Sequence, residues 1–252
     1  MTGRKQTKGI WFVLVIGLLW LCGCGSPSSD SADHTALQTQ NGSGTEGTTL
    51  VYQDSVSLQY AENFSIEHYE GGYTLLSVID GTKILVVPEG KSIPGGLEED
   101  TIVLQQPVRN LYLVSSSVMD IFSKLDALDT IRFSGQKEEN WYVEEAREAM
   151  RRGDIVYAGK YNKPDYEQIV SGECSLAIEN MMITHSPEVV EMLENFGIPV
   201  VIEHSSYETH PLGRVEWVKF FGALVGKEDK AEEIFEEQRA ILDAVTAEES
   251  TG

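Results

Sequence analysis

The sequence is short of positive charge, of cysteine and of long apolar runs. Its 19 Lys and Arg face 40 Asp and Glu, for a formal net charge of −21. A surface of that sign repels phosphate backbones and anionic bilayers, which argues against nucleic-acid binding and against membrane attachment by charge. Cysteine occurs 3 times, two of them close together at Cys22 and Cys24. That excludes a dense disulfide framework, so the fold has to stand on its apolar core. The uncharged stretch from Ile10 to Leu21 falls short of the roughly 20 apolar residues that a membrane-crossing helix needs. There is no Cys-x-x-Cys pair and no His-Glu-x-x-His spacing, so sequence pattern offers no metal centre. Neither a Gly-x-Ser-x-Gly elbow nor a Gly-rich phosphate loop opening a helix is present, so no nucleophile and no cofactor are indicated. The expectation is a protein that is not an enzyme.

What is there begins with Arg4, Lys5 and Lys8, the apolar stretch, and small residues at the exit. That order describes a secretory signal peptide. The junction Leu21-Cys22-Gly23-Cys24 resembles a bacterial lipobox, which implies cleavage after residue 23 and lipidation of Cys24. The expected product is held at the extracytoplasmic side of the cell membrane by lipid alone, firmly if more than one acyl chain is attached. Removing residues 1–23 takes three bases and no acid, which carries the charge from −21 to −24. Cys22 would leave with the signal and Cys24 would be acylated, so Cys174 stands alone and is expected as an inert buried thiol. Residues 24–50, rich in Ser, Gly, Thr, Asp and Gln, read as a flexible tether.

Order is expected from Val51. Phe64 to Tyr69 alternates at period two, Glu70-Gly71-Gly72 turns, Tyr73 to Ile79 runs back, and Asp80-Gly81 signals a hairpin into Thr82 to Val87. Residues 51–106 therefore read as an N-terminal β meander. From 107 to 210 short apolar runs at Leu111–Val114, Ile131–Phe133, Ile155–Tyr157, Leu176–Ile178 and Val200–Ile202 alternate with helical patterns at Val118–Leu125, Val143–Arg152, Tyr166–Ser171 and Val189–Phe196. Five strands separated by helices predict an α/β lobe, a parallel sheet with flanking helices. Residues 211–247 read as a long helix interrupted near Gly226 and Lys227, with an apolar stripe at Ala231, Ile234, Phe235, Ile241 and Leu242.

Three stretches together carry a family resemblance. They are Tyr60–Ile66 with the Asp80-Gly81 hairpin, Leu176–Glu179 with the loop to His185 and Gly197–Val200, and Tyr207–Arg214 leading into Glu216-Trp217. In this order, behind a lipobox and tether, they resemble substrate-binding lipoproteins of ABC transporters, of the iron-siderophore, haem and cobalamin class. The resemblance implies two α/β lobes joined by a linking helix, with ligand in the cleft between them. The first lobe and the linking helix are legible here, and a second lobe is not, so the expectation is a truncated or one-lobed member. The implied partners are an ABC permease and its ATPase, an iron chelate or a corrinoid, and a second lobe supplied by another chain. A surface binding module that needs one lobe and takes no part in transport is the alternative within this class.

In open parallel sheets ligands collect beyond the carboxyl ends of the strands. Three loops are expected there: Ser115-Ser116-Ser117 after the first strand, Gly159-Lys160-Tyr161 after the third, and Asn180-Met181-Met182 running to His185 after the fourth. Hydroxyls and free N–H groups, a lysine beside an aromatic ring, and soft methionines suit a bulky anionic chelate. The resemblance implies one exposed acid per lobe that docks on the permease. Glu188 is the best positional match, with Glu191 and Glu216 behind it. The competing reading is an extracellular zinc-dependent hydrolase that uses Glu203, His204 and His210.

Overall fold

The computed structural model describes the backbone of residues 49–251 and side chains as far as residue 246. The signal peptide, the lipidation of Cys24 and nearly all of the tether lie outside the described residues.

The first sheet has five strands in the order β1-β2-β3-β4-β5: β1 (Tyr52–Ser55), β2 (Phe64–Tyr69), β3 (Tyr73–Val78), β4 (Lys83–Val87) and β5 (Ile102–Gln105). β2, β3 and β4 form the expected antiparallel meander, closed at Asp80-Gly81 by a Val78 N–H bond to Thr82. Two strands escape the sequence pattern. β1 is exposed along its whole length, so burial imposes no alternation on it. β5 pairs parallel to β4 after a Pro- and Gly-rich excursion, so the segment is not a pure meander.

The second half follows as β6 (Leu111–Leu113), α1 (Ser116–Lys124), β7 (Ile131–Ser134), α2 (Glu144–Arg152), β8 (Val156–Tyr157), the ribbon β9 (Gly159–Lys160) and β10 (Lys163–Pro164), α3 (Tyr166–Ser171), β11 (Ala177–Asn180), α4 (Pro187–Asn195) and β12 (Val200–Glu203). Five of these strands form a parallel sheet in the order β12-β11-β6-β7-β8, as the alternation of apolar runs and helices predicted. One face packs Tyr112, Phe133, Ala177 and Val200 under α3 and α4. Its other face sends Leu111, Leu113, Ile178 and Val201 into the main core with α1 and α2.

The chain ends in α5 (Pro211–Val225) and α6 (Glu228–Thr251), broken at Gly226 in the left-handed region (φ 70°). α5 is buried on every side, from Leu212 through Trp217, Phe220 and Phe221 to Leu224, because it shares one core with strands of both sheets. Its sequence carries apolar residues on every face for that reason, with the charged Glu216 and Lys219 buried among them. The stripe belongs to α6, where Ala231 and Phe235 are buried while Ile241 and Val245 are exposed.

Two carboxylates, Glu208 just before α5 and Glu216 within it, hold the start of the first sheet. Glu216 accepts from the backbone N–H groups of Gln59, Tyr60 and Ala61 at 2.9, 2.8 and 2.9 Å. Glu208 accepts from Glu62 and Asn63 at 2.9 and 3.1 Å and from the Trp217 indole at 2.9 Å. Gly213 lets the helix come this close: a Cβ there would meet the Tyr60 carbonyl oxygen at 2.9 Å.

Candidate functional site

β6 is followed in space by β7 and β8 on one side and by β11 and β12 on the other. The strand order therefore reverses between β6 and β11, and the loops leaving their carboxyl ends diverge there, the general position for a ligand crevice in such sheets. A recess of about 480 Å³ opens at this edge. Val114 and Gly135 form part of its lining, with Gln136, Lys137, Tyr157, Lys160, Tyr161, Asn180 and Met182 around them and Glu139 and Asn140 completing it.

Of the residues predicted from sequence, Lys160, Tyr161, Asn180 and Met182 come together here. Each is placed by local structure. Lys160 ends β9 in a tight two-residue ribbon that returns at Lys163. Gly159 makes that ribbon possible: its φ is +84°, and a Cβ would stand 2.4 Å from the Lys163 carbonyl oxygen. Tyr161 is half-buried against the core under α3 and α4. The Asn180 side chain accepts the Met182 N–H at 2.9 Å, which turns the chain sharply after β11 and leaves the Met182 side chain exposed.

The serine run does something else. Ser115 is buried and donates to the Glu203 carboxylate at 3.2 Å, while its Oγ lies 3.0 Å from that of Ser117. Glu203 also accepts the Ser205 N–H at 2.9 Å and a short bond from the Ser205 hydroxyl. Ser115 is thus part of an internal network joining the loop after β6 to the end of β12, and it is no ligand for the recess. Ser116 accepts from Gln136 at 3.0 Å and stays exposed beside Ser117 at the start of α1. Met181 is half-buried and His185 exposed; neither lines the recess.

Gln136, Lys137 and Tyr157 are recess residues that the sequence reading passed over. The signal was present, because Gly135-Gln136-Lys137 follows the second strand at the same edge. Gln136 is fixed by a bond from its amide to the Val114 carbonyl at 3.0 Å, and the Lys137 ammonium stands 6.0 Å from the centre of the Tyr157 ring.

The metal reading finds no geometry. Glu203 serves the serine network, His204 bonds Asp80 at 3.3 Å, and His210 caps α5 by accepting the Leu212 N–H at 3.1 Å while stacking on Tyr60 at 4.5 Å. Among the described residues no group of three or more His, Cys, Asp or Glu is arranged to hold a metal ion. Glu188 is exposed in the first turn of α4, and Glu191 is exposed on the same helix. Glu216 is fully buried, which removes it as a docking residue. One further acid stands out. Glu179, on β11 beside the recess residue Asn180, is fully buried with neither carboxyl oxygen hydrogen-bonded, and that burial pushes its pKa well above the carboxylate range.

No protein-family model matches the chain. Two proteins of Methanocaldococcus jannaschii are similar in sequence. The uncharacterized lipoprotein MJ0878 is 23% identical over 206 residues, covering 71% of this chain and 48% of the relative. The uncharacterized lipoprotein MJ0872 is 26% identical over 236 residues, covering 89% and 58%. The chain spans about half the length of the curated relatives it matches. Among solved structures, a possible iron-binding (periplasmic solute-binding) protein from Staphylococcus epidermidis aligns at 15% identity and a TM-score of 0.45, over 56% of this chain and 51% of that one.

Proposed function

We propose that this chain is the first lobe of a solute-binding lipoprotein that captures an iron chelate (a siderophore complex or haem) or a corrinoid and presents it to an ABC permease and its ATPase. The observation that carries the reading is the recess at the strand-order reversal, where Lys160, Tyr161, Asn180 and Met182 converge from separate loops. A parallel sheet presents loops at that edge for binding, and the recess pairs aromatic and soft apolar surface with cations and amides. The names of the two archaeal relatives, both called lipoproteins, support anchoring through Cys24 on the extracytoplasmic side. In this reading residues 24–50 are the tether, 51–106 and 107–210 build the lobe, and 211–247 lead toward a second lobe that closes the cleft. The protein binds and delivers, and the energy for uptake comes from the ATPase.

Titration of the detergent-solubilised chain with ferric siderophores, haemin and cyanocobalamin, followed by tryptophan fluorescence, tests the proposal. Saturable binding to one class, lost on Tyr161→Ala, is the expected result. Absence of binding to all three classes by a natively folded sample overturns it. For docking, the proposal places Glu188 against a basic patch on the permease. Glu188→Lys is expected to lower uptake in reconstituted vesicles while ligand affinity stays unchanged, and unaffected uptake refutes that assignment.

A further inference from the structure

The acidic composition makes the fate of the lysines informative. Ion pairs among the described residues engage Lys83, Lys124, Lys219 and Lys230. None engages Lys91, Lys137, Lys160, Lys163 or Lys227, and of these five Lys137, Lys160 and Lys163 gather at one edge, although acids outnumber bases by about two to one in the sequence. Lys137 and Lys160 line the recess, and Lys163 stands directly across the ribbon from Lys160. Side chains of directly opposed residues in an antiparallel pair share a face, and like charges placed so repel. The ribbon that forces this repulsion depends on Gly159, so the arrangement is built into the backbone. Glu139 is the one acid in the recess lining, against two lysines, in a protein of net charge −21. The Lys137 ammonium lies 6.0 Å from the Tyr157 ring centre, beside the half-buried Tyr161, so cationic groups here adjoin flat aromatic surface.

We propose that Lys137, Lys160 and Lys163 form an anion clamp, which makes the ligand of this recess a negatively charged chelate with flat conjugated faces and disfavours uncharged chelates and corrinoids. An anion set between Lys160 and Lys163 converts their repulsion into attraction, a gain that an uncharged ligand does not bring. The inference rests on the reading of the recess as the ligand site, and it deepens that reading by naming the ligand class.

The test uses the full chain in detergent and three probes: trianionic ferric tris-catecholate, uncharged ferric tris-hydroxamate, and cyanocobalamin. At low salt the catecholate complex is expected to bind at least about tenfold more tightly than either other probe, with the preference shrinking as salt rises. Lys137→Gln combined with Lys160→Gln and Lys163→Gln should erase the preference while the weaker binding of the uncharged probes is retained. All three positions are exposed, and circular dichroism checks that the variant folds. Equal affinities in the native protein, or a preference that survives the triple substitution, overturn the clamp and leave the recess as a ligand site. Failure of all three probes to bind the folded protein overturns the recess reading itself, and the clamp with it.

Discussion

Replacing Glu216 with alanine offers a sharp test of how the two ends of the described chain are held together. Its carboxylate is fully buried and accepts three backbone N–H groups from Gln59, Tyr60 and Ala61, all within 2.9 Å. Lys219, itself buried, lies 3.4 Å away and makes a closer pair with Glu232 at 2.8 Å. Hydrogen bonds to a charged acceptor are each worth about 1.5–3 kcal/mol net, so the three donors set an upper range of roughly 5–9 kcal/mol. Gln59 is exposed and the other two residues are half-buried, so water recovers part of that loss once the acceptor is gone. Removing one partner from a buried charged arrangement typically costs about 3–5 kcal/mol, and we expect Glu216→Ala in that range. For a chain of this size each kcal/mol moves the midpoint by about 2–4 °C, which gives a drop of about 6–20 °C in thermal melting. Hydrogen exchange locates the effect. The amides of Gln59, Tyr60 and Ala61 should lose protection in the variant, while those of Ala177 and Ile178 in the parallel sheet keep theirs. Glu216→Gln keeps the shape but sets an amide N–H₂ among N–H donors, so it should recover only part of the loss. A melting point within about 2 °C of the parent, or unaltered protection at residues 59–61, would refute the reasoning.

Three other outcomes follow from titratable groups. His68 reaches Asp54 at 2.7 Å through one ring nitrogen and Glu228 at 2.8 Å through the other, a geometry satisfied in full only by the imidazolium. Burial opposes that charge, but the bonds and charges of Asp54 and Glu228 outweigh it and raise the pKa above 6.5. Gln53 on β1, Thr74 on β3 and Lys227, Asp229 and Lys230 near the head of α6 flank the same hollow. The stabilising contribution is therefore full below about pH 6.5 and is lost as the pH rises through the raised value, so melting curves across that window should show a decline that His68→Gln flattens. For Glu179 the carboxyl pKa is raised by burial without any bonded partner, so folding takes up a proton above the ordinary carboxylate range and stability falls as pH rises there. Glu179→Gln should raise the melting point at neutral pH and remove that slope; a lower melting point would show the charge to be compensated. Burial also pushes the Cys174 thiol up to about 12, against weaker opposition from backbone bonds at Leu176 and Tyr112, so iodoacetamide should leave it unmodified at mildly alkaline pH until the protein unfolds.

The parallel sheet was legible because its strands are short β-branched runs set between helices, and burial on both faces leaves little room for any other composition. The helical pattern at Val189–Phe196 and the apolar runs at Leu111, Ile131 and Val200 marked elements whose bounds the structure reproduces to within a residue or two. The first sheet was less legible at its edges, since exposed β1 carries no alternation and the parallel pairing of β5 with β4 leaves no local mark. The candidate site divided in the same way. The edge rule found Lys160, Tyr161, Asn180 and Met182, but it could not separate hydroxyls that face a recess from hydroxyls that satisfy a buried acid. Ser115 belongs to the second kind because Glu203, some 88 residues away in the chain, needs its donor. The same blindness to distant partners hid why the stretches at Tyr60–Ile66 and Tyr207–Trp217 look distinctive together. Their residues bond across separations of 145 to 157 positions, Glu208 and Glu216 receiving the N–H groups of 59–63. A turn whose amides all point one way needs a buried acceptor, and a buried acid needs donors. Each segment alone reads as an arbitrary polar loop, and only the fold shows that each is the other's reason for being buried.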